Sequence, residues 1–327
     1  MTSSRWMRLS LIAVAIGFGV AACTQSRLNA AKSLTPSSTL PDSADSPDSS
    51  ERRSRGDQEV IYGDDNRVDY YEETDGSLRD LSESTVALMS KSQIASSVNG
   101  LNRLTGSNYG KSLGLCPDER FVDQTTGAFC SGFLVAPDTI VTAGHCVPDL
   151  KSCLETSYVF GYRIAVIGQP PTSVSTNEVY RCASLVHTQM PSDGADFAIV
   201  KLNRSVPNHL PLNLRLSGTI AAGTDLTVLG YPEGLPLKIA GGAQVRSIAT
   251  PGFFTANTDT YGGNSGSAVI NSVTHQVEGV LVRGEKDFEW SPQGCARSLR
   301  CKADACRGED VTRISDVIKA INAPPAP

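Results

Sequence analysis

The sequence predicts an all-β fold that ends in one C-terminal helix. From Cys130 onward, short runs rich in Val, Ile, Thr, Tyr and Phe alternate with clusters of Pro, Gly, Asn and Asp, and no helical periodicity separates them. Strands joined by turn residues in this way are typical of a β-sandwich or a β-barrel. At the end of the chain, in contrast, Ile314, Val317, Ile318 and Ile321 recur at helical spacing, which predicts a terminal helix.

The strands follow from these runs in chain order. Thr85–Met89 is the first predicted strand of the folded body. The runs after Cys130 predict Gly132–Val135, Thr139–Thr142, Tyr158–Tyr162, Ile164–Ile167, Val179–Val186, Phe197–Leu202, Leu226–Leu229, Ala243–Ile248, Ala268–Ile270 and Val277–Val282. With 327 residues, the chain can bury one large core or two modest cores.

The N-terminus has the pattern of an export signal. Arg5 and Arg8 precede the apolar run Leu9–Val20, which is too short to span a bilayer comfortably, and the small residues Ala21 and Ala22 follow. We therefore interpret residues 1–22 as a signal peptide and the protein as exported, either secreted or held at the cell envelope.

Cys23 directly follows this segment, and the string Val-Ala-Ala-Cys at residues 20–23 resembles the lipobox of bacterial lipoproteins. The resemblance implies lipidation of Cys23 and a membrane anchor; the alternative is cleavage after Ala22, which leaves a free thiol. Setting Cys23 aside from the nine cysteines leaves an even number, which suits four disulfides in an oxidising compartment. Residues 23–57, rich in Ser, Pro, Asp and Ala, predict the anchor cysteine and a disordered tether.

Charge and composition exclude two classes of partner. The net charge is −5, and the short stretch Arg52–Arg55 is the one basic cluster, so the cations that neutralise phosphates in a nucleic-acid complex are missing. No C-x-x-C pair occurs and the chain has only four His, which argues against a zinc site. We expect no nucleic acid, no metal and no cofactor, and we expect a monomer.

The stretch Thr139–Cys146 carries a candidate general base. A β-rich run ends at His145, and an imidazole suits this role because its ordinary pKa lies near neutrality. Cys146 ends the stretch and Cys130 lies sixteen residues before it, so a disulfide could brace the loop that holds the imidazole. Taken alone, a His at the end of a strand is more often structural.

The stretch Gly262–Ser267 carries a candidate nucleophile. Glycines on both sides of Ser265 allow a tight turn that exposes the hydroxyl, while the amides of Gly263 and Ser265 can point to one spot and form an oxyanion hole. The alternative is a Gly/Ser hairpin turn without chemistry.

The stretch Gly194–Leu202 places Asp196 directly before a hydrophobic strand, where rigid backbone could hold a carboxylate against a histidine. Most Asp residues at strand edges only form turns. However, the chain order of His145, Asp196 and Ser265 is the order of the chymotrypsin triad, and it differs from the orders in subtilisin and the α/β-hydrolases. The three stretches together predict a catalytic triad.

Three blocks resemble the trypsin-like serine peptidases, which have the chymotrypsin fold. They are Thr-Ala-Gly-His-Cys at residues 142–146, Asp-Phe-Ala-Ile-Val-Lys-Leu at 196–202 and Gly-Asn-Ser-Gly-Ser at 263–267. The bacterial branch of the family, which includes the glutamyl endopeptidases, is the most similar. The resemblance covers roughly residues 84–320, with Val311–Ile314 at the start of the C-terminal helix.

The resemblance implies two six-stranded Greek-key β-barrels, with the active site between them, and a C-terminal helix. Residues 58–205 would hold an N-terminal extension and the first barrel, which supplies the His and the Asp of the triad. Residues 206–327 would hold the second barrel, with the serine and its oxyanion hole, and the helix. Cys130 and Cys146 match the cysteines that flank the histidine loop of the family, which implies a disulfide between them. The implied reaction is hydrolysis of a protein or peptide substrate through an acyl-enzyme.

Some positions depart from the family pattern. Animal trypsin-like enzymes carry an Asp before the catalytic serine, which pairs with a new N-terminus after activation cleavage, whereas this chain has Asn264. We therefore predict that trimming between Thr24 and Val60 does not assemble the oxyanion hole. Leu281 stands where glutamyl endopeptidases use a His, which argues against strict glutamate specificity. Val282 stands where many relatives place a Ser that supports the catalytic Asp.

Two residues are candidates for the specificity pocket. Asp259 occupies the position that in trypsin selects Arg and Lys, which suggests a basic preference before the scissile bond. Arg283 falls near the strand expected to line the same pocket, where its charge could neutralise Asp259 or favour an acidic side chain instead.

The segment Cys295–Cys306 is predicted to be a surface loop stapled by disulfides. It contains three cysteines, so at least one of them pairs outside the loop if all are oxidised. Cys116, Cys153 and Cys182 are the candidates, and the sequence leaves the choice open.

Three other functions compete with a secreted or envelope-anchored serine endopeptidase. A catalytically silent trypsin-like fold could serve only for binding, although this chain keeps the whole triad and both oxyanion-hole residues. A non-peptide acyl hydrolase would use the same triad, but the α/β-hydrolase turn requires alternating helices. A quality-control protease of the envelope would carry a further peptide-binding module, and only Asn322–Pro327 follow the predicted helix.

Overall fold

The protein is described by a computed structural model that covers residues 60–323. The predicted signal peptide, the lipidation of Cys23 and the tether lie outside these residues.

The regular elements of the described chain fall into two stretches. The first contains β1 (Ile61–Tyr62), β2 (Arg67–Asp69), α1 (Gly76–Ser82), β3 (Thr85–Ser90), β4 (Leu101–Arg103), β5 (Ser107–Asn108), α2 (Tyr109–Leu113), β6 (Thr125–Thr126), β7 (Cys130–Ala136), β8 (Thr139–Thr142), α3 (Leu150–Glu155), β9 (Thr156–Val159), β10 (Ser173–Ser175), β11 (Val179–Gln189) and β12 (Phe197–Leu202). The second contains β13 (Asp225–Gly230), β14 (Lys238–Ser247), β15 (Phe253–Ala256), β16 (Ala268–Asn271), β17 (Val277–Arg283), β18 (Phe288–Trp290), β19 (Ala296–Ser298), β20 (Arg300–Cys301), β21 (Glu309–Arg313) and α4 (Ile314–Ile321).

Six antiparallel strands close the first barrel in the order β11-β12-β8-β7-β3-β9. β-branched and aromatic side chains fill it because alternate residues of each strand point inward. The buried set includes Val86, Leu88, Phe133, Leu134, Ile140, Tyr158 and Val200. Two ends of this barrel concern the site: β8 leads directly into the loop of His145, and β12 begins directly after Asp196.

The second barrel follows the order β13-β16-β17-β21-β15-β14 and closes through the pairing of β14 with β13. Its interior is lined by residues such as Leu226, Val228, Phe254, Leu281 and Val311. The loop between β15 and β16 contains Ser265. The strand β2, which precedes the first barrel in the chain, pairs antiparallel with β14, so the N-terminal segment belongs to the sheet of the second barrel.

The helix α4 closes the described chain. Its residues Ile314 and Val317 are buried in the main hydrophobic cluster, which extends across both barrels and includes Leu229 and Val280 of the second one. The apolar spacing that predicted this helix therefore reflects one buried face. None of the helices between residues 60 and 323 has the length and hydropathy of a membrane span.

The two barrels and the terminal helix confirm the predicted architecture, and two local predictions are wrong. Ile164–Ile167 forms no strand: Ile167 is 72% exposed, and the run bends into a turn at Gly168, whose φ is +73°. Val311–Arg313 belongs to the strand β21, and α4 begins only at Ile314. β15 and β21 were not predicted, because neither segment has a long apolar run.

The eight cysteines within residues 60–323 form four disulfides. The pairs are Cys116–Cys295, Cys130–Cys146, Cys153–Cys182 and Cys301–Cys306. The histidine loop thus carries the disulfide that the family resemblance implies. In the segment Cys295–Cys306, Cys295 takes the outside partner, Cys116, and the other two cysteines pair with each other.

Candidate active site

His145 and Asp196 are joined by a hydrogen bond at one edge of the first barrel. His145 Nδ1 lies 2.8 Å from Asp196 Oδ2. Asp196 Oδ1 accepts the main-chain N–H of Gly144 at 2.6 Å and that of His145 at 3.2 Å. Asp196 is only 3% exposed, whereas the His145 ring is exposed. The carboxylate therefore fixes the ring through Nδ1, and Nε2 is the nitrogen left for proton exchange.

Thr312 of β21 ties the carboxylate residue to the second barrel. The main-chain N–H of Asp196 donates to Thr312 Oγ1 at 3.0 Å, and the Thr312 hydroxyl donates to the main-chain oxygen of Asp196 at 3.0 Å. This reciprocal pair fixes the backbone of Asp196 from across the barrel junction. Sequence reasoning missed Thr312, because the segment that contains it was assigned to the start of the helix.

The turn that carries Ser265 depends on two glycines in the left-handed region. Gly263 has φ +84° and Gly266 has φ +91°. A Cβ on Gly266 would lie 2.0 Å from the main-chain oxygen of Ser131, so no other residue fits there without a shift of the backbone. The turn consequently brings Ser265 close to the first barrel.

The amides of this turn divide into two groups. Those of Asn264, Gly266 and Ser267 donate to the main-chain oxygens of Tyr261 (3.0 Å), Leu281 (2.7 Å) and Asn264 (2.8 Å), respectively. Those of Gly263 and Ser265 have no acceptor within residues 60–323. These are the two N–H groups that the sequence assigned to an oxyanion hole.

Ser131 of β7 and the histidine loop hold the serine turn against the first barrel. The main-chain N–H of Ser131 donates to the oxygen of Ser265 at 2.8 Å, and the Ser131 hydroxyl donates to the oxygen of Gly263 at 2.8 Å. Cys146, the neighbour of His145, places its Sγ 3.6 Å from the same oxygen of Ser265. The structure therefore places the main chain of Ser265 against the histidine loop, next to the bonded pair of His145 and Asp196, at the junction of the barrels.

One group of potential metal ligands lies here. The ligand atoms of Cys130, His145 and Cys146 lie within 4.8 Å of one another. The two sulfurs are joined in a disulfide, and metals bind thiolates, so this group is not suited to hold a metal.

Residues 130–280 match the family model described as "Trypsin-like peptidase domain". The matched residues include His145, Asp196 and Ser265. Among solved structures, the chain is similar to a Glu endopeptidase in complex with MPD, with 19% identity, a TM-score of 0.47 and coverage of 80% of this chain and 98% of that chain. It is also similar to an inactive mutant of Rv3671c from M. tuberculosis H37Rv, with 15% identity, a TM-score of 0.43 and coverage of 80% and 95%. No curated protein matches the sequence.

The two candidates for the specificity pocket occupy different places in the structure. Asp259 is 3% exposed, and its carboxylate accepts the main-chain N–H groups of Tyr62 at 2.7 Å and Asn66 at 2.8 Å. Burial raises the pKa of Asp259 to about 6, against the lowering effect of these two bonds. Arg283 contacts other residues, including Asp310 and Asp196. The structure thus does not pair Asp259 with Arg283.

An acidic pair beside the serine turn was also missed by sequence reasoning. The main-chain N–H of Glu233 donates to the oxygen of Gly262, and the N–H of Gly262 donates to Asp287 Oδ2 at 3.1 Å. Burial and a hydrogen bond with Asp287 raise the pKa of Glu233 to about 9. Because Glu233 lies in the loop after β13 and Asp287 lies after β17, no local sequence pattern connects them.

Arg67 anchors the N-terminal segment against the same region. Its fully buried guanidinium donates to both carboxylate oxygens of Asp65 at 2.9 and 2.8 Å and lies 4.0 Å from the ring centroid of Tyr261. Together with the contacts of Asp259, this packing holds residues 60–67 behind the serine turn.

Proposed function

We propose that the protein is a serine endopeptidase that hydrolyses peptide bonds through a triad of His145, Asp196 and Ser265. The observation that carries the proposal is the 2.8 Å hydrogen bond between His145 Nδ1 and Asp196 Oδ2 beside the turn of Ser265. Two further features support it. Asp196 is buried on rigid backbone. Ser265 lies between Gly263 and Gly266, whose positive φ angles form the tight turn.

The proposed mechanism has two half-reactions. In the first, the Ser265 hydroxyl attacks the carbonyl carbon of the scissile bond while His145 Nε2 takes its proton. His145 then gives that proton to the leaving amine, and an acyl-enzyme remains on Ser265. In the second, water attacks the acyl-enzyme with His145 again as the base, which releases the acid product and restores Ser265. Asp196 keeps the ring in the productive orientation and stabilises the imidazolium.

The amides of Gly263 and Ser265 are the proposed oxyanion hole. An oxygen that becomes negative in the tetrahedral intermediate needs preorganised donors, and a donor that is already bonded to protein cannot serve. The lack of an acceptor for these two N–H groups within the described chain supports this role.

Cleavage of a peptide library by the full chain tests the proposal, with Ser265→Ala as the matched control. We expect internal cleavage of peptides by the native chain and none by the variant. Equal cleavage by both proteins, or none by a folded native chain, would contradict it. The same library tests the preference suggested by Asp259: faster cleavage after Arg or Lys supports it, and faster cleavage after Glu or Phe opposes it.

We also propose, from the N-terminal sequence, that the chain is exported and anchored through a lipid on Cys23. The test is expression of the native chain and of Cys23→Ser in a bacterial host, followed by separation of membrane and soluble fractions. We expect the native chain in the membrane fraction and the variant in the soluble one. The same distribution for both proteins would argue against the anchor.

A further inference from the structure

Arg283, at the end of β17, lies beside Asp196, the proposed catalytic acid. Its NH1 is 3.8 Å from Asp196 Oδ2, the same oxygen that receives His145. This separation is too long for a hydrogen bond, so Oδ2 keeps its bond to the ring while the guanidinium acts on it as a nearby positive charge. The side chain is only 13% exposed, and water therefore screens this charge weakly.

The guanidinium also binds the loop before β12. Its NH2 donates to the main-chain oxygen of Gly194 at 2.9 Å, and its NH1 donates to that of Pro191 at 3.4 Å. Arg283 belongs to the second barrel and the loop belongs to the first. The contact therefore joins the barrels at the segment that leads directly into Asp196.

The buried carboxylate of Asp310 also binds Arg283. Its Nε lies 3.3 Å from Asp310 Oδ2, and Arg307 NH2 lies 2.5 Å from the same oxygen. Asp310 is 1% exposed. Asp196, Arg283, Asp310 and Arg307 thus form a row in which negative and positive groups alternate. Arg283 therefore offsets the negative charge of Asp196 without a hydrogen bond that would displace His145.

We propose that Arg283 is a positioning residue for the catalytic acid, which ties the Asp196 loop to the second barrel and holds a cation beside the carboxylate. This inference rests on the proposed function, because it requires Asp196 to be the acid of a working triad. It differs from the specificity role predicted from the sequence, since the guanidinium is committed to Asp310 and to the loop carbonyls.

Arg283 acts on the acid in two separate ways. Its bonds to the main-chain oxygens of Gly194 and Pro191 hold the backbone that leads into Asp196, and its positive charge lies 3.8 Å from the oxygen that holds the His145 ring. A lysine at this position would keep the charge but could not make the same set of bonds, because it lacks the planar fork of the guanidinium.

The test is a comparison of kcat and KM for the full chain and its Arg283→Met and Arg283→Lys variants, with an ester substrate. For Arg283→Met we expect kcat to fall by about tenfold or more, with a smaller change in KM, because the acid loop is less well placed. Arg283→Lys keeps the positive charge, so it should recover part of the kcat that Arg283→Met loses.

Arg246→Met is the matched control. Arg246 also binds main-chain oxygens, those of Asp304, Ala305 and Cys306, but it has no contact with the triad. Its variant should keep the native kcat and KM. A thermal melt of each variant separates loss of fold from loss of positioning; if Arg283→Met does not fold, Arg283→Lys and Arg283→Gln replace it as the pair compared.

Two results would overturn the inference. One is a folded variant that lacks the positive charge yet retains the native kcat. The other is a fall in kcat and in melting temperature that is equal in Arg283→Met and Arg283→Lys, which would indicate a purely structural role. In both cases the native chain remains active, so the proposed function survives. A native chain without activity toward esters and peptides would instead remove the proposed function and this inference together.

Discussion

The surroundings of the His145–Asp196 pair and those of the Ser265 turn are charged in different ways. Around Asp196, each anion faces a cation or main-chain N–H groups: Arg283 stands beside the acid and Asp310 behind Arg283. Around the serine turn, Asp259 and Asp287 are buried and Glu233 is half-buried, and the charge of Arg67 acts on both Asp259 and Glu233. In the first region the charges of the acids are balanced by ion pairs, whereas in the second Glu233 stays protonated at neutral pH.

The raised pKa values near the serine turn make the stability of that region depend on pH. Burial raises the pKa of Glu233 to about 9 and that of Asp259 to about 6. A carboxyl whose folded pKa lies above its unfolded value stabilises the fold while it is protonated, and the contribution is lost as pH rises from the unfolded pKa toward the folded one. Rising pH therefore loosens the packing behind the serine turn.

The largest expected effect comes from Asp196→Asn. The amide can donate to His145 Nδ1, which selects the tautomer whose Nε2 carries a proton and cannot act as a base. We expect kcat to fall by about 10⁴-fold with the fold intact. The measurement is kcat with an ester substrate, and Asp225→Asn, an exposed position on β13, is the control that should stay near native. Native-like kcat in Asp196→Asn would show that Asp196 is not the acid of the triad.

Gly266→Ala should have the next largest effect. The added Cβ would lie 2.0 Å from the main-chain oxygen of Ser131, and the residue has φ +91°, so the serine turn must shift. We expect more than about a 100-fold loss of kcat from misplacement of Ser265. Gly100→Ala is the matched control, since Gly100 has φ +79° with open space around it. An equal loss in both variants would mean that the clash with Ser131 is not the cause.

Arg67→Met tests the buried charges behind the serine turn. It removes the buried guanidinium that binds both carboxylate oxygens of Asp65 and leaves that carboxylate only the partly exposed Arg120, which should lower the free energy of unfolding by about 1–3 kcal/mol. Denaturant unfolding measures this loss. Arg300→Met, at an exposed position on β20, should change stability little. If both variants are equally stable, the N-terminal segment does not support this region.

Glu233→Gln should give the smallest effect and the clearest pH signature. Glutamine keeps the neutral form of the side chain, so the variant avoids the cost of ionising Glu233. We expect its melting temperature to match the native value near pH 5 and to exceed it by a few degrees near pH 9. Glu289→Gln, at an exposed position on β18, provides the comparison and should show no such trend. A difference that does not grow with pH would contradict the raised pKa.

The sequence allowed much of the fold and of the triad to be predicted, because these depend on local patterns. His145 ends a β-rich run, Asp196 precedes one, and Ser265 lies between glycines. Each pattern is contained in a few consecutive residues. The run Ile164–Ile167 misled because apolar residues alone do not make a strand when a turn glycine follows.

The remaining features could not be predicted, because they depend on contacts between distant segments. Asp259 is bound by the amides of residues 62 and 66 only because β2 joins the sheet of the second barrel. Likewise, Thr312 and Arg283 reach Asp196 only because the two barrels pack at this junction. No spacing in the sequence encodes these contacts.

Stoichiometric labelling with a fluorophosphonate probe tests the central claim most directly. The full chain is incubated with the probe, and the labelled peptide is identified by mass spectrometry. We predict one label per chain, on Ser265, with none on Ser265→Ala and much slower labelling of His145→Ala. A folded native chain that takes no label, or a label that persists in Ser265→Ala, would contradict the account.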